Sequence, residues 1–219
     1  HRVNENGFLN VLHTARELGI QRVVYASSAA VYGDAGGDGT PLCESDTTGA
    51  FASPYGVSKY VNEQHASVFS KCYGMECIGL RYFNVFGPGQ NPDGAYAAVI
   101  PRFLRALKDG DVPTILGDGG QTRDFVHVDN VVHANKLALT TTNQCAYGDV
   151  FNVGTGKRVS LLRLVDTLNR HVGGEQCSPR FAPRREGDIY HSTATITKAK
   201  CVLGYEVVRS FEAGIAALV

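Results

Sequence analysis

Tyr55 and Lys59 stand four residues apart in the segment SPYGVSK. On a helix, positions i and i+4 lie one above the other on the same face. A cation beside a phenol favours the phenolate, and such a phenolate can take a proton from an alcohol or return it. The same spacing also fits a solvated helix face, so it gains meaning only with a partner. Upstream, Ser27 and Ser28 end the short apolar run RVVYASS. The carboxyl ends of strands are where α/β sheets place their ligands, and a hydroxyl there can hold an alcohol oxygen. Taken alone, the two serines fit turn or capping work equally well.

Other chemistries lack their residues. The six cysteines include no C-x-x-C, which leaves zinc ribbons and thioredoxin-type redox pairs without their spacing. A chain of 219 residues, 43% hydrophobic, needs no disulfide framework to hold a core, and reduced thiols fit a cytoplasmic protein. The seven histidines form no H-E-x-x-H, and His127 and His133 fall on different helix faces. No G-x-S-x-G is present. Lysine plus arginine equal aspartate plus glutamate at 21 each, and this balance argues against nucleic acid as a partner. No apolar run reaches bilayer length, which argues against membrane integration.

The elements that must position Tyr55 and Ser28 follow from periodicity and caps. Residues 5–18 carry a helical apolar stripe, with Asn4 as the expected cap and Gly19 as the stop. A strand over 22–28 and a glycine-rich loop over 33–53 come next. Ser53 as cap and Pro54 at the first helical position start the Tyr55 helix, which should end near Gly74. A strand over 76–83 leads to a loop over 84–95, then a helix over 97–108. Strands are expected at 114–116, 124–128 and 150–153. Asp129, Ser160, Thr195 and Ser210 are the expected caps of four further helices. The alternation of strands and helices argues an α/β fold with a mainly parallel sheet.

With these residues in place, the sequence resembles the extended short-chain dehydrogenase/reductase family, within it the NAD-dependent nucleotide-sugar epimerases and dehydratases. It looks nearest to the epimerases acting on UDP-N-acetylglucosamine in bacterial polysaccharide biosynthesis. The resembling segments are VVYASSAAVYGD (23–34), SPYGVSKYVNE (53–63), LRYFNVFGPGQNPDGAYAAVIPRF (80–103), GDGGQTRDFVHVDN (117–130), FNVGTG (151–156) and REGDIYHSTA (185–194).

The resemblance implies a catalytic set of Ser28, Tyr55 and Lys59. It implies contact of Asn4, Ser27, Tyr55, Lys59, Tyr82 and Phe83 with the cofactor NAD. Ser28, Asn84, Ala98, Val99, Phe103, Arg123, Arg185, Asp188 and Ser192 would bind the UDP-sugar substrate. Forked guanidiniums at Arg123 and Arg185 suit a diphosphate, although surface ion pairs are the alternative. The implied fold is a partial Rossmann-like, doubly wound parallel sheet with a small C-terminal α/β substrate domain. Residues 1–85 would belong to the NAD-binding domain and 86–219 mainly to the substrate domain, with about 123–153 returning to the first. A cytoplasmic homodimer, built on the helices that carry Tyr55 and residues 4–18, is the family's usual form.

Two positions narrow the reaction. Family dehydratases carry Asp-Glu after the active-site hydroxyl, as dehydration needs an extra acid/base pair. Here Ala29 and Ala30 follow Ser28, which leaves alcohol oxidation and reduction, that is 4-epimerisation. Epimerases restricted to UDP-glucose tend to carry tyrosine where Ser192 stands, so a small serine makes room for an N-acetyl group. UDP-glucuronate or UDP-glucose epimerisation remains the alternative.

Gly33, Gly36 and Gly39 mimic a dinucleotide fingerprint, but they follow the serine strand and lead into TPLCESD rather than an apolar helix. Gly154-x-Gly156 lacks a third glycine. No strand–glycine turn–helix unit precedes Tyr55, so the N-terminal βα units of such a sheet are expected to be missing. An inactive nucleotide-sugar binding remnant is the second alternative.

Overall fold

The computed structural model describes residues 1–46, 51–94, 97–173, 177–184 and 187–219. A π-helical turn, Arg2–Asn6, runs into α1 (Gly7–Glu17). β1 (Arg22–Ser28) ends in a 3-10 turn, Ala29–Tyr32. Then come α2 (Pro54–Tyr73), β2 (Glu76–Tyr82), β3 (Asn84–Phe86), α3 (Val99–Lys108) and β4 (Thr114–Leu116). β5 (Thr122–Arg123), β6 (Phe125–His127), α4 (Val128–Thr140) and β7 (Asp149–Val153) follow. The chain continues through β8 (Val159–Ser160), α5 (Leu161–Val172), β9 (Arg180–Ala182), β10 (His191–Ser192), α6 (Thr197–Leu203) and α7 (Phe211–Ala216).

The main sheet is parallel with order β1-β2-β7. Alternate side chains leave it on opposite faces. Tyr25 and Cys77 pack with Leu12, Ala66 and Phe69 under α1 and α2. Ile78, Leu80, Phe151 and Val153 pack with Ala134, Ala138 and Ala199 under α4 and α6. The sheet is therefore covered on both faces, as a parallel α/β sheet requires. Among the described residues β1 forms one edge of it. A separate core gathers Ile100 and Phe103 of α3, Ile115, Leu164 and Leu168 of α5, and Phe211 and Ile215 of α7.

Local chemistry explains most boundaries. Ser53 Oγ accepts from Gly56 N at 3.2 Å, with Pro54 first in the helix, and Gly74 closes α2 in the left-handed region. Ser160 and Ser210 cap α5 and α7 as expected.

Three expected caps do not form. Asn4 sits inside the π-helical turn and makes no cap. His127, not Asp129, caps α4: its Nδ1 accepts from Asp129 N, and the Asp129 carboxylate is drawn off to Arg209. Thr195 donates to Pro41 O, and α6 starts from Ile196 without a side-chain cap.

The loop expected from Asn84 begins as a strand, because Asn84 N donates to Asp124 O and sets the parallel β3–β6 pair. Four strands of two or three residues, β5, β8, β9 and β10, escape any periodicity because they are too short to show one. The glycines at 33, 36 and 39 lie in successive turns after the 3-10 turn, as read from the sequence.

α2 lies very close to the turn that follows β1. A Cβ on Gly56 would come within 2.4 Å of Ala30 O. Gly56→Ala should therefore lower the thermal unfolding midpoint, by about 1–3 kcal/mol of overpacking, although alanine is the better helix former. A midpoint at or above that of the parent chain would refute this close approach.

Burial pushes the His127 imidazole pKa down, opposed by Asp129 and aided by Arg209. A depressed folded pKa means that neutral His127 contributes stability above the unfolded value, near 6.5, and that this is lost as pH falls below it. Protonation also removes the Nδ1 lone pair that caps α4 and puts a cation at a helix N-terminus. Comparing parent and His127→Asn unfolding midpoints from pH 7.5 to about 5.5 should show a steeper acid loss in the parent.

Candidate active site

The carboxyl ends of β1 and β2, the first turn of α2 and the start of α3 open onto one cleft of about 670 Å³. Ser28 and Tyr55 both line it. Ser28 Oγ accepts from Ala30 N at 3.2 Å, capping the 3-10 turn, so its own proton stays available to an acceptor in the cleft. Tyr55 is 46% exposed at the rim, a first-turn position where little packs above it. Lys59, one helical turn on, lies 5.7 Å from the Tyr55 ring centroid. Its Nζ donates to Ala26 O at 2.9 Å. An ammonium carries three donors, so two remain. Burial pushes the Lys59 pKa down.

The other expected cofactor residues divide. Tyr82 and Phe83 line the cleft, and the Tyr82 hydroxyl is fixed by Asn135 Nδ2 at 2.8 Å. Ser27 reaches the cleft wall, but its hydroxyl turns away into the fold and donates to Glu63. Asn4 stands behind α2: its Nδ2 donates to Ser58 Oγ at 3.3 Å, and Ser58 Oγ donates to Tyr55 O at 2.8 Å. It touches the helix that carries Tyr55 rather than the cleft.

The substrate residues expected from the sequence gather on the same cleft. Asn84, Ala98, Val99, Phe103, Arg123 and Asp188 all line it. Arg123 Nη2 donates to Asp188 Oδ1 at 2.8 Å, while Nη1 donates to Thr122 O and Tyr190 O. Among the described residues, two of the five guanidinium donors, Nε–H and one Nη2–H, have no partner and suit an anion. Burial lowers the Arg123 pKa, and Asp188 opposes that. Ser192 is buried on β10, directly opposite Arg123 in the β5–β10 register, and does not line the cleft itself. Arg185 lies outside the described residues.

Several residues were not anticipated. Arg102, Thr114, Leu116, Gln121, Phe125 and Leu161 are among them, and all line the cleft. The β-rich pattern of 114–116 marked a strand but gave no reason to place it at a ligand. Asp124, next to Arg123, is fully buried and accepts from Thr155 N, Thr155 Oγ1, Gly156 N and Ala194 N. A Cβ at Gly154 would lie 2.6 Å from Asp124 Oδ2. The Gly154-x-Gly156 pair is thus a cradle for an internal carboxylate that anchors the Arg123 strand. The buried carboxylate of Glu63 receives Arg81 Nε at 2.9 Å and Arg81 Nη2 at 2.8 Å, besides the Ser27 hydroxyl.

Chemically, one cleft holds a phenol, a hydroxyl, an apolar wall and two arginines, Arg102 and Arg123, with the Lys59 ammonium beside the phenol. Tyr82 and Phe83 on the cleft wall, with the Lys59 ammonium held against Ala26 O beside Tyr55, fit the nicotinamide-ribose end of NAD: an aromatic wall for the ring and a cation near the ribose. Among the described residues no strand–glycine turn–helix unit is available for the pyrophosphate.

The chain is similar to several known proteins. A putative UDP-glucose 4-epimerase of Methanocaldococcus jannaschii is 38% identical over 216 residues, 97% of this chain and 67% of that protein. A UDP-N-acetylglucosamine 4-epimerase from Methanobrevibacter ruminantium, solved with UDP-N-acetylmuramic acid, superposes with a TM-score of 0.90 at 33% identity. The match covers 98% of this chain and 66% of that one. A UDP-glucuronic acid 4-epimerase from Bacillus cereus, solved with UDP-glucuronic acid and NAD, gives a TM-score of 0.87 at 28% identity, over 98% and 65% of the two chains. The chain thus spans about two thirds of the length of the proteins it matches. The family model for the NAD dependent epimerase/dehydratase family matches residues 1–154, and the chain belongs to that family.

Proposed function

We propose that the chain carries the catalytic and sugar-nucleotide half of an NAD-dependent isomerase, a 4-epimerase of a UDP-sugar. The observation that carries this reading is that Ser28, Tyr55, Arg123 and Asp188 line a single cleft, with Lys59 beside Tyr55. Tyr55 takes the proton of the sugar 4-hydroxyl and Ser28 donates to that oxygen. Lys59 favours the charged phenol and offers two donors to a ribose. Arg123, with Asp188 fixing its plane, meets the diphosphate through its free N–H groups. Ala98, Val99 and Phe103 give the apolar wall for the nucleoside. NAD supplies acceptance and return of the C4 hydride. The 4-keto sugar, tethered by its diphosphate, presents its other face before Tyr55 returns the proton. Ala29 and Ala30 supply no second acid/base pair, which favours epimerisation over dehydration.

Residues 1–85 would hold the cofactor and 86–219 mainly the sugar nucleotide, with about 123–153 returning to the first unit. Packing of Val126, Ala134, Phe151 and Val153 into the core of the main sheet supports that return. Exposed Val11 on α1 and Leu18 at its C-cap, with Val68 and Tyr73 on α2, support a homodimer through these helices, with the cytoplasm as the proposed compartment. No described helix is long and apolar enough to cross a membrane. A second reading is UDP-sugar binding without turnover; among the described residues β1 is a sheet edge with no strand–glycine turn–helix unit beside it.

Incubating the intact protein that contains this chain with NAD and, separately, UDP-N-acetylglucosamine, UDP-glucose and UDP-glucuronate should yield the 4-epimer of at least one. Tyr55→Phe should reduce that turnover by about 10²–10⁴-fold while UDP still binds. Turnover that survives would remove Tyr55 from the role. UDP binding without NAD binding or turnover would favour the second reading.

For the sugar itself we propose the N-acetylated pair UDP-GlcNAc/UDP-GalNAc, from the small side chain of Ser192, which is buried beside the cleft residue Arg123 in the β5–β10 pair. Ser192→Tyr should weaken binding of UDP-N-acetylglucosamine more than that of UDP-glucose. Equal losses would refute the preference.

A further inference from the structure

We infer that Glu63 is a positioning residue, which sets where Tyr55 stands relative to Ser28. The inference rests on Tyr55 and Ser28 acting as proposed. Tyr55, Lys59 and Glu63 recur every four residues, so they share one face of α2. That face is fastened to consecutive residues of β1: Lys59 Nζ donates to Ala26 O, and the Glu63 carboxylate accepts from Ser27 Oγ. Ser28 is the next residue of the strand.

The carboxylate is itself held rigidly. Its side chain is 4% exposed and that of Arg81 is 5% exposed, and both oxygens of Glu63 are engaged by the Arg81 fork. Arg81 is the register partner of Ser27 across the parallel β1–β2 ladder. Two side chains that leave adjacent strands side by side thus converge on one carboxylate. Arg81 is fixed in turn by Glu44 O and by the Tyr32 ring, 4.7 Å from its guanidinium carbon.

A longitudinal slide of α2 would break the Ser27 bond and spoil the fork. At the other end, Gly56 already abuts Ala30 O, so the helix has no slack towards the turn. Stability alone would not need this arrangement, because a well-packed apolar pair is often as stable as a buried ion pair. What the fork and the hydroxyl add is a fixed offset between a helix start and a strand end. Those two points carry the phenol and the hydroxyl.

The test uses the full chain with 3-fluorotyrosine at position 55 and, separately, at buried Tyr205 as a remote control. Ser27→Ala cuts the link without leaving a charge unpaired. It should keep cooperative unfolding and UDP binding, yet split or broaden the fluorine resonance at 55 and leave that at 205 unchanged. Glu63→Asp, with its carboxylate withdrawn by one methylene, should move the resonance at 55 in the same way, and Glu63→Gln more so where it folds. A resonance at 55 in Ser27→Ala that superimposes on the parent, or equal changes at 55 and 205, would overturn the inference. Loss of turnover in Tyr55→Phe concerns the assignment of the acid/base and is read separately.

Discussion

A single buried carboxylate ties together the three elements on which the cleft depends. Glu63 reaches from α2 to a hydroxyl of β1 and a guanidinium of β2, all three nearly inaccessible to water. An ion pair in such a place is costly to desolvate, and breaking it from one side leaves an uncompensated charge, worth about 3–5 kcal/mol. The contacts around it show how that cost is met: each oxygen has a charged or hydroxyl donor, and the arginine stacks on Tyr32, whose own hydroxyl donates to Asn152. Burial pushes the Tyr32 phenol up to about 12, so it remains a neutral donor in this network. The rim residues Tyr55 and Ser28, by contrast, have few packing partners of their own. Their placement is inherited from the rigid network beneath them.

Arg123 illustrates a different solution to the same problem. Its guanidinium is mostly out of water, yet it is held by one carboxylate and two carbonyls rather than a closed fork. The neighbouring Asp124 is sunk among backbone N–H groups and anchors the strand. One residue of the pair is structural and fully satisfied. The other is left with donors to spare. A group that is oriented but not saturated is suited to meeting a ligand, because little reorganisation is needed when an anion arrives.

The parts legible in the sequence were those with a local physical signature. Ser53-Pro54 marked the start of α2, the apolar run marked β1, and the four-residue step from Tyr55 to Lys59 marked one helix face. The cleft residues came mainly from the family resemblance, which alone could bring Arg123 and Asp188 to Ser28 across long stretches of chain. What the sequence hid was set by competition at a distance. Asp129 looked like a cap, but Arg209, 80 residues on, claims its carboxylate and the cap passes to His127. Ser27 looked like a cofactor contact, but its hydroxyl points to the Glu63 side of the sheet. Strands of two residues have no period to read.

The pairing of Ser27 with Arg81 also limits how the chain can vary in length. Inserting or deleting one residue within β1 would turn every following side chain to the opposite face of the sheet. Ser27 would lose Glu63, Tyr25 would leave the α1–α2 core, and Ser28 would point elsewhere, all at once. Tolerance of length change is thereby pushed out of β1, towards the exposed turn positions Asp34, Ala35, Gly37 and Asp38, while the flanking Tyr32 and Leu42 still belong to the core. Core and site fail together or hold together, so selection for a stable fold also guards the geometry of the cleft.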